Sequence, residues 1–431
     1  MELSSNRMEL LMKRILDMKS FFWLLGLSAT ITAISIPLGP IDMTLFNLLL
    51  IIILFYQVIL RKKFQVSIRG EAAYLFFCAT IILSIICNVL LLESSYTKAN
   101  VVKAINVCIL YLGIAIFFTQ QEKKEYMKSF LGGLYVSCIL QIIWGWIQYF
   151  AWEFFEVSVN EVVFHDWMKM GLEGIRWTFV KDGHLRLSGT GWEAAYFSLA
   201  LLTAYILTTK WYVKLIVVLE ILASTSRTGL VVLIMLLGYE LIVSKKLKEF
   251  RKSKPQLFCI SFMAVGAVVV YLILNSNLLA ELDVIKRLES TIASLENMDA
   301  SSMAHARYYL AVPAIWSQCG WLRILLGYGI AASGTPFQIY YQQYVALGAW
   351  SVESDVITLL MGSGLIGCLA YYIWNIGKML RSKRNGKEYM IALLILLSGI
   401  FYIYIGTWSI VFIALMTEDK DCYMRRICRV R

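Results

Sequence analysis

Residues 222–236 read LASTSRTGLVVLIML. Arg227 stands alone among apolar and hydroxylated neighbours, and the run that follows it has the composition of a helix at home in lipid. An arginine at the centre of a bilayer costs about 2.5–3.5 kcal/mol on insertion scales. The residue therefore lies at an interface or holds something, and the rest of the chain has to say which. Crossing a bilayer takes roughly 20 apolar residues. Runs of about that kind recur at 21–38, 41–60, 72–92, 101–119, 129–151, 192–209, 211–224, 228–244, 257–275, 355–378 and 389–416. Gly406-Thr407 divides the last into a full span and a short helix over 408–416. In a chain that is 59% hydrophobic and 16% charged, this pattern predicts an all-α polytopic membrane protein of 11–12 transmembrane helices.

The first run is not a cleaved leader. A polar lead precedes it, further runs follow, and no small-residue cleavage pattern intervenes. Nine cysteines are scattered, most of them inside apolar runs (Cys78, Cys87, Cys108, Cys138, Cys259, Cys368), and no CxxC pair occurs. Neither a disulfide framework nor a zinc site is indicated. His165, His184 and His305 are too few and too dispersed for a metal site, so no metal and no cofactor is expected.

The net charge of +11 is sorted by loop. Segments 61–70, 120–128, 245–254 and 378–387 hold 4, 3, 6 and 5 Lys/Arg, and alternation puts all four on one side together with the basic N-terminus. By the positive-inside rule that side is cytoplasmic. The surplus is an orientation signal and an attraction to anionic lipid, not a nucleic-acid footprint. Eleven spans would leave the basic tail outside, and the short helix at 408–416 returns it to the cytoplasm.

The chain divides accordingly. N-terminal transmembrane helices occupy 1–151, a first long outer loop 152–191, central helices 192–275, a second outer loop 276–354, and C-terminal helices with the basic tail 355–431. Long loops with a composition of their own commonly carry function. The second opens with Leu278, Leu282, Ile285, Leu288, Ile292 and Leu295 at three- and four-residue steps, an amphipathic helix pattern. A further helical run at 304–318 contains Pro313.

Arg227 then falls at the outer membrane face, with Glu220 two turns earlier as a possible ion partner. One reading is an interface anchor whose stem lies in lipid. The other gains from Arg186, which lies on the same side in HLRLSGTGWEAAYFS (184–198). Two guanidiniums with glycine and hydroxyl neighbours suit a phosphate or diphosphate, because the planar fork binds such oxygens in pairs. Gly189 and Gly191 would let backbone N–H groups approach the ligand, and the helix start after Glu193 adds a favourable dipole end. In the second loop Arg307, Tyr308 and Arg323 add cations and an aromatic ring, and Glu353 and Asp355 stand at the entrance to a helix. A carboxylate there is either an N-cap or a base able to take a proton from an attacking hydroxyl. Lys103 reads as a helix-pairing or snorkelling group.

These segments resemble the bacterial O-antigen polymerase and O-antigen ligase superfamily. RLSGTGWEAAYFS (186–198), STSRTG (224–229), ARYYLAVPAIW with LLGYG (306–329) and ESDVITLLMGSGLIG (353–367) are similar to its motifs in order and side. The resemblance implies a C-type glycosyltransferase-like fold acting on undecaprenyl-diphosphate-linked sugars at the outer leaflet of the cytoplasmic membrane. It also implies a flippase and a chain-length regulator as partners. Arg186 and Arg227 match the positions that hold the diphosphate. Glu353 stands where the ligases carry a histidine, which favours a polymerase, as does Glu193. The site it implies has Arg186, Arg227 and Glu353 as catalytic groups, with Arg307, Glu193, Gly189 and Tyr308 binding substrate. The alternatives are a ligase transferring glycan to a lipid or protein acceptor, and a non-enzymatic lipid transporter.

The orientation has a direct check. Reporter fusions placed after residues 65, 124 and 384 should be active in the cytoplasm, and fusions after 170 and 335 outside it; the reverse pattern would overturn the assigned sides.

Overall fold

A computed structural model describes residues 17–38, 41–60, 66–68, 70–90, 97–170, 178, 180–181, 184–191, 193–224, 226–243, 253, 300–340, 352, 354–383, 386–402 and 408–417. Within these the chain is helical apart from two short hairpins. The expected span at 257–275 and the amphipathic pattern at 278–296 lie outside the described residues.

Opening the described chain, helix α1 is Met18–Ser28, capped by the Asp17 carboxylate. The run expected to continue to residue 38 does not. Strand β1, Ser35–Leu38, instead pairs antiparallel with β2, Ile41–Thr44. Pro37 and the Gly39-Pro40 pair account for this, since proline lacks the donor and clashes with the preceding turn. Helix α2, Leu45–Phe55, is capped by Thr44 and runs into a π-helical turn, Tyr56–Leu60. Next come α3, Ala72–Leu90, and α4, Thr97–Ile105, which passes through a π-helical turn into α5, Leu112–Ile116. Helix α6, Gln120–Phe155, opens with a capping box between Thr119 and Glu122.

Helices α3 and α6 are long and apolar enough to cross a membrane, with mean hydropathies of 2.3 and 1.7. Their sides are arranged inside out. On α3 the enclosed face holds Thr80, Ser84 and Asn88, while Phe76, Ile82, Leu83 and Ile86 face outward. On α6 Ser137, Gln141 and Gln148 point in, and Leu140, Ile143, Ile147 and Phe150 point out. Water would draw the amides outward and lead to large apolar patches being covered; this surface suits a lipid neighbour.

After a second hairpin (β3, Val180–Lys181; β4, His184–Leu185) the helices α7, Ala194–Leu207, α8, Trp211–Ala223, and α9, Arg227–Val243, fall within two residues of their expected bounds. Further on are α10, Ala300–Gln318, which continues through Pro313, then α11, Trp321–Leu326, and α12, Thr335–Tyr340. The run expected as one span over 355–378 is divided into α13, Asp355–Gly362, and α14, Gly364–Arg381. The last two are α15, Lys387–Phe401, and α16, Trp408–Leu415, the short helix anticipated at 408–416.

Glycines set the closest packing. A Cβ on Gly26 would lie 2.1 Å from the Phe130 carbonyl oxygen, and one on Gly133 1.9 Å from that of Trp23, so α1 and α6 touch backbone to backbone. The break between α13 and α14 is filled in the same way. Gly364 adopts φ +69°, and the turn 327–329 enters the gap, where the N–H groups of Tyr328 and Gly329 donate to the carbonyls of Met361 and Gly362 at 2.8 Å each. Carbonyls freed by the break thus find partners within the protein.

At one end of the bundle lies a cluster that the loop-by-loop reading of charge misses. Lys123 and Lys378, counted there as exposed cytoplasmic cations, are enclosed. Both donate to Oε1 of Glu71, Lys123 at 3.0 Å, and the Trp374 indole donates to Oε2 at 2.7 Å. Side-chain exposure is 0% for Glu71 and Lys123 and 1% for Lys378. The cluster joins the starts of α3 and α6 to the end of α14, and Lys378 also reaches the Met416 carbonyl beyond α16 at 3.5 Å. Replacing Glu71 with Gln removes the carboxylate charge that Lys123 and Lys378 share, a cost of about 3–5 kcal/mol. Thermal unfolding in detergent should show a marked fall in Tm for Glu71→Gln and partial recovery when Lys123→Met is added; an unchanged Tm would refute this weight.

Candidate functional site

The opposite end of the bundle gathers the residues singled out in the sequence. Gln141 and Gln148 lie two turns apart on one face of α6, a spacing that gives them a common target. That target is the loop 188–191. Gln148 accepts from the Gly189 N–H at 3.0 Å and donates to its carbonyl at 3.1 Å. Gln141 accepts from the Thr190 N–H at 2.8 Å and donates to the Thr30 carbonyl at 2.9 Å. Asn160, before a π-helical turn at Glu161–Trp167, donates to the carbonyls of Gly189 and Gly191 at 2.9 and 3.0 Å. Its own oxygen accepts from the Trp144 indole at 2.8 Å. Three buried amides thus hold four consecutive residues.

Gly189 has φ +61°, and a Cβ there would lie 2.3 Å from Gln141 Oε1. Its N–H, expected to face a ligand, is given to Gln148 instead, and that of Gly191 goes to the Ser188 carbonyl at 3.2 Å. Glycine is required here for the left-handed turn and the close approach, not for an open donor.

Arg186 enters this loop between the buried residues Leu185 and Leu187. Its Nε is buried and has no hydrogen-bond acceptor. Arg227 is the first residue of α9. A cation there opposes the positive end of the helix dipole, so charge and dipole together favour an anion at this point. Ser226 caps the turn by accepting from the Gly229 N–H at 3.1 Å. Gly229 rests on α7, where a Cβ would lie 2.5 Å from Ser198 Oγ. Ser198 is one turn into the helix that follows the Arg186 loop, with Glu193 in the N-cap position making no capping bond. Both arginines therefore belong to the same end of the α7–α9 unit.

The anticipated Glu220–Arg227 pair does not form. α8 ends at Ala223, so the two residues no longer share a helix. Glu220 is fully buried, its carboxylate lies against Gly145, and neither oxygen accepts a hydrogen bond.

In the second loop Tyr308 is buried, with its ring edge-on to Phe337 at 5.2 Å, so its faces are occupied by core packing. Arg307 lies on α10, but its side chain is outside the described residues, as is Glu353 altogether. Arg323 is buried, donates to Asn88 Oδ1 at 2.5 Å and sits 4.8 Å over the Tyr328 ring. The cap of α13 is Ser354, whose hydroxyl accepts from the Ile357 N–H at 3.5 Å, so capping is not the role of Asp355. Asp355 instead packs against Gly399. Tyr402 joins the two regions, since its carbonyl accepts from the Asp355 N–H at 3.2 Å while its ring meets Tyr196 of α7 edge-on at 5.2 Å.

Sequence reading overlooked Gln141, Gln148 and Asn160. The signal was present for the two glutamines, as amides seven residues apart in an apolar helix need partners. Among the described residues no group of three His, Cys, Asp or Glu is placed to hold a metal ion. No protein-family model matches the chain, and no curated protein matches it.

Gln148→Leu would orphan the Gly189 N–H, at about 1–3 kcal/mol, and leave its carbonyl to Asn160 alone. Limited proteolysis should then cut within 184–193 at least ten times faster than in the wild type; equal rates would show that the clamp is dispensable.

Proposed function

We propose that this chain is a multi-pass membrane polymerase that joins undecaprenyl-diphosphate-linked oligosaccharide repeat units at the outer leaflet of the cytoplasmic membrane. The observation that carries the reading is Arg186, whose Nε is buried without an acceptor in a loop fixed by three amides. A guanidinium held in this way is prepared for an oxyanion that comes with the substrate. Arg227 at a helix start supplies a second cation.

The chemistry follows from these groups. The hydroxyl oxygen of one lipid-linked repeat attacks the anomeric carbon of another. The bond from that carbon to the diphosphate breaks, the configuration inverts, and the diphosphate leaves on its lipid. Charge grows on the diphosphate as the bond breaks, so the two guanidiniums act most strongly in the transition state. They can neutralise that charge without a metal ion. The proton of the attacking hydroxyl goes to Glu353, with Arg307 closing the site from the long outer loop.

One observation favours a second reading. A helix divided as α13 and α14 is a feature of transporters, which place substrates beside broken helices. Against it, the inserted turn satisfies the backbone at the break, which gives the division a local cause.

Purified protein supplied with lipid-linked repeats should produce a ladder of products. Arg186→Ala and Arg227→Ala should each lower the rate about 100–1000-fold, the usual effect of removing one charge-stabilising donor, with unchanged Tm. A ladder that survives both substitutions would overturn the site. A single transfer to a different acceptor would indicate a ligase, and flux without new glycosidic bonds a transporter.

A further inference from the structure

Glu220 of α8 is fully enclosed, and neither of its carboxyl oxygens has a hydrogen-bond partner. The next helix shows what a provided-for carboxylate looks like in this bundle. Glu240 of α9 accepts from the Lys214 ammonium at 3.3 Å and from the Tyr205 hydroxyl at 3.1 Å. Lys214 shares α8 with Glu220, six residues earlier, and still goes to Glu240. An ionised carboxylate withdrawn from water without a partner is so unfavourable that the group neutralises instead. The occupant that this setting calls for is a proton.

The position of the acid decides what it can do. The point that a Gly145 Cβ would occupy lies 2.1 Å from Oε1 of Glu220 and 2.4 Å from Cζ of Phe197, so carboxyl and ring tip crowd one spot on α6. The flank of the same ring reaches the loop, where a Gly189 Cβ would lie 2.5 Å from Cδ2 of Phe197. Contact thus runs from Glu220 through Phe197 to the loop that Arg186 enters. Gln141 and Gln148 stand about one turn to either side of Gly145 on the enclosed face of α6. Other ionisable groups on the surrounding helices are engaged elsewhere or lie beyond the helix end. Tyr149 of α6 meets Trp146 and Phe150, Tyr205 of α7 and Glu240 of α9 belong with Lys214, and Arg227 opens α9 after α8 has ended. None of them hydrogen-bonds Glu220.

We propose that Glu220 is a proton-binding positioning residue, which as the neutral acid seats Phe197 and the 188–191 loop and on ionisation releases them. The carboxyl O–H bond breaks and the proton passes to water. The anion left behind needs donors, and the amides on this face of α6 are those of Gln141 and Gln148, which already serve Thr30 and Gly189. Anion and loop therefore compete for the same clamp. That protonation of Glu220 governs how Arg186 meets substrate rests on the polymerase reading; the proton-dependent docking of the loop does not.

The test uses purified full-length protein in lipid nanodiscs over about pH 6 to 9, a range that enclosed carboxyls reach. The readout is proteolytic cleavage within 184–193, each rate normalised to an unstructured peptide at the same pH. The docked loop keeps a proton that the undocked state, with its carboxyl in water, gives up. Docking therefore weakens as pH rises, and cleavage should increase about tenfold per pH unit. Glu220→Gln has the shape of the acid and no proton to lose, so it should hold the low-pH rate throughout. A merely structural role would change the rate equally at every pH. The infrared carbonyl band of a carboxylic acid should be present in the wild type at neutral pH and missing from Glu220→Gln. Gly145→Ala puts a methyl on the shared spot and should cleave fast even at the lowest pH, although alanine favours the helix. A flat wild-type profile, an unchanged slope in Glu220→Gln or the absence of the acid band would each overturn the proposal, and wild-type cleavage of Gly145→Ala would overturn the route through Phe197. With lipid-linked repeats as substrate, kcat should fall with rising pH in the wild type and hold in Glu220→Gln. Turnover indifferent to Glu220→Gln would break the link to Arg186, and no turnover at any pH would overturn the polymerase reading while the cleavage profiles still decide the proton site.

Discussion

Glu71 governs the bundle. One carboxylate takes two ammonium groups and an indole N–H, all withdrawn from solvent, and so ties the starts of α3 and α6 to the end of α14. Ions in such a place are costly unless each finds its partners, so the three helices can meet there in few ways. That constraint sets the register of α6, the longest described helix, and through it the position of everything two-thirds of the way along. Gln141 and Gln148 reach the 188–191 loop because Lys123, on the same helix, is held at the far end.

The site end is built from amides rather than charges. Backbone of the Arg186 loop is held on both its donors and acceptors by Gln141, Gln148 and Asn160, while the Nε of Arg186 is buried without an acceptor. A loop fixed in this way can present an arginine without the entropic loss that a mobile loop would incur on binding. Arg227 reaches the same end by a different device, a helix start resting on α7 through Gly229.

The second loop uses glycine to enter the interior. Gly327, Gly329, Gly362 and Gly364 allow two irregular stretches to contact each other through their backbones, and the hydrogen bonds from Tyr328 and Gly329 repair the break in the helix. This is the reason a run that reads as a single span becomes α13 and α14. The same insertion encloses Ser333 and Thr335 and sets the turn against Asn100, which accepts from the Ala331 N–H.

Much of the helical layout was legible in the sequence. The apolar runs at 72–92, 192–209, 211–224 and 228–244 mark α3, α7, α8 and α9 to within two residues, because a long uninterrupted apolar run is a local property of the sequence. Gly406-Thr407 marked the approach to α16. The proline-glycine signal at 37–40 was equally readable and outweighs the hydropathy that masks it. What the sequence could not decide was which residues face one another. Lys123 and Lys378 read as loop cations because charge is normally exposed, and only tertiary packing brings Glu71 to both. Glu220 and Arg227 read as partners because seven residues make two helical turns, and only the end of α8 at Ala223 separates them. Gly189 read as an open donor, and only the meeting of α6 with the loop gives its N–H to Gln148. Composition and periodicity act locally and so can be read along the chain. Pairing between residues far apart depends on how whole helices dock, and only the folded structure supplies that.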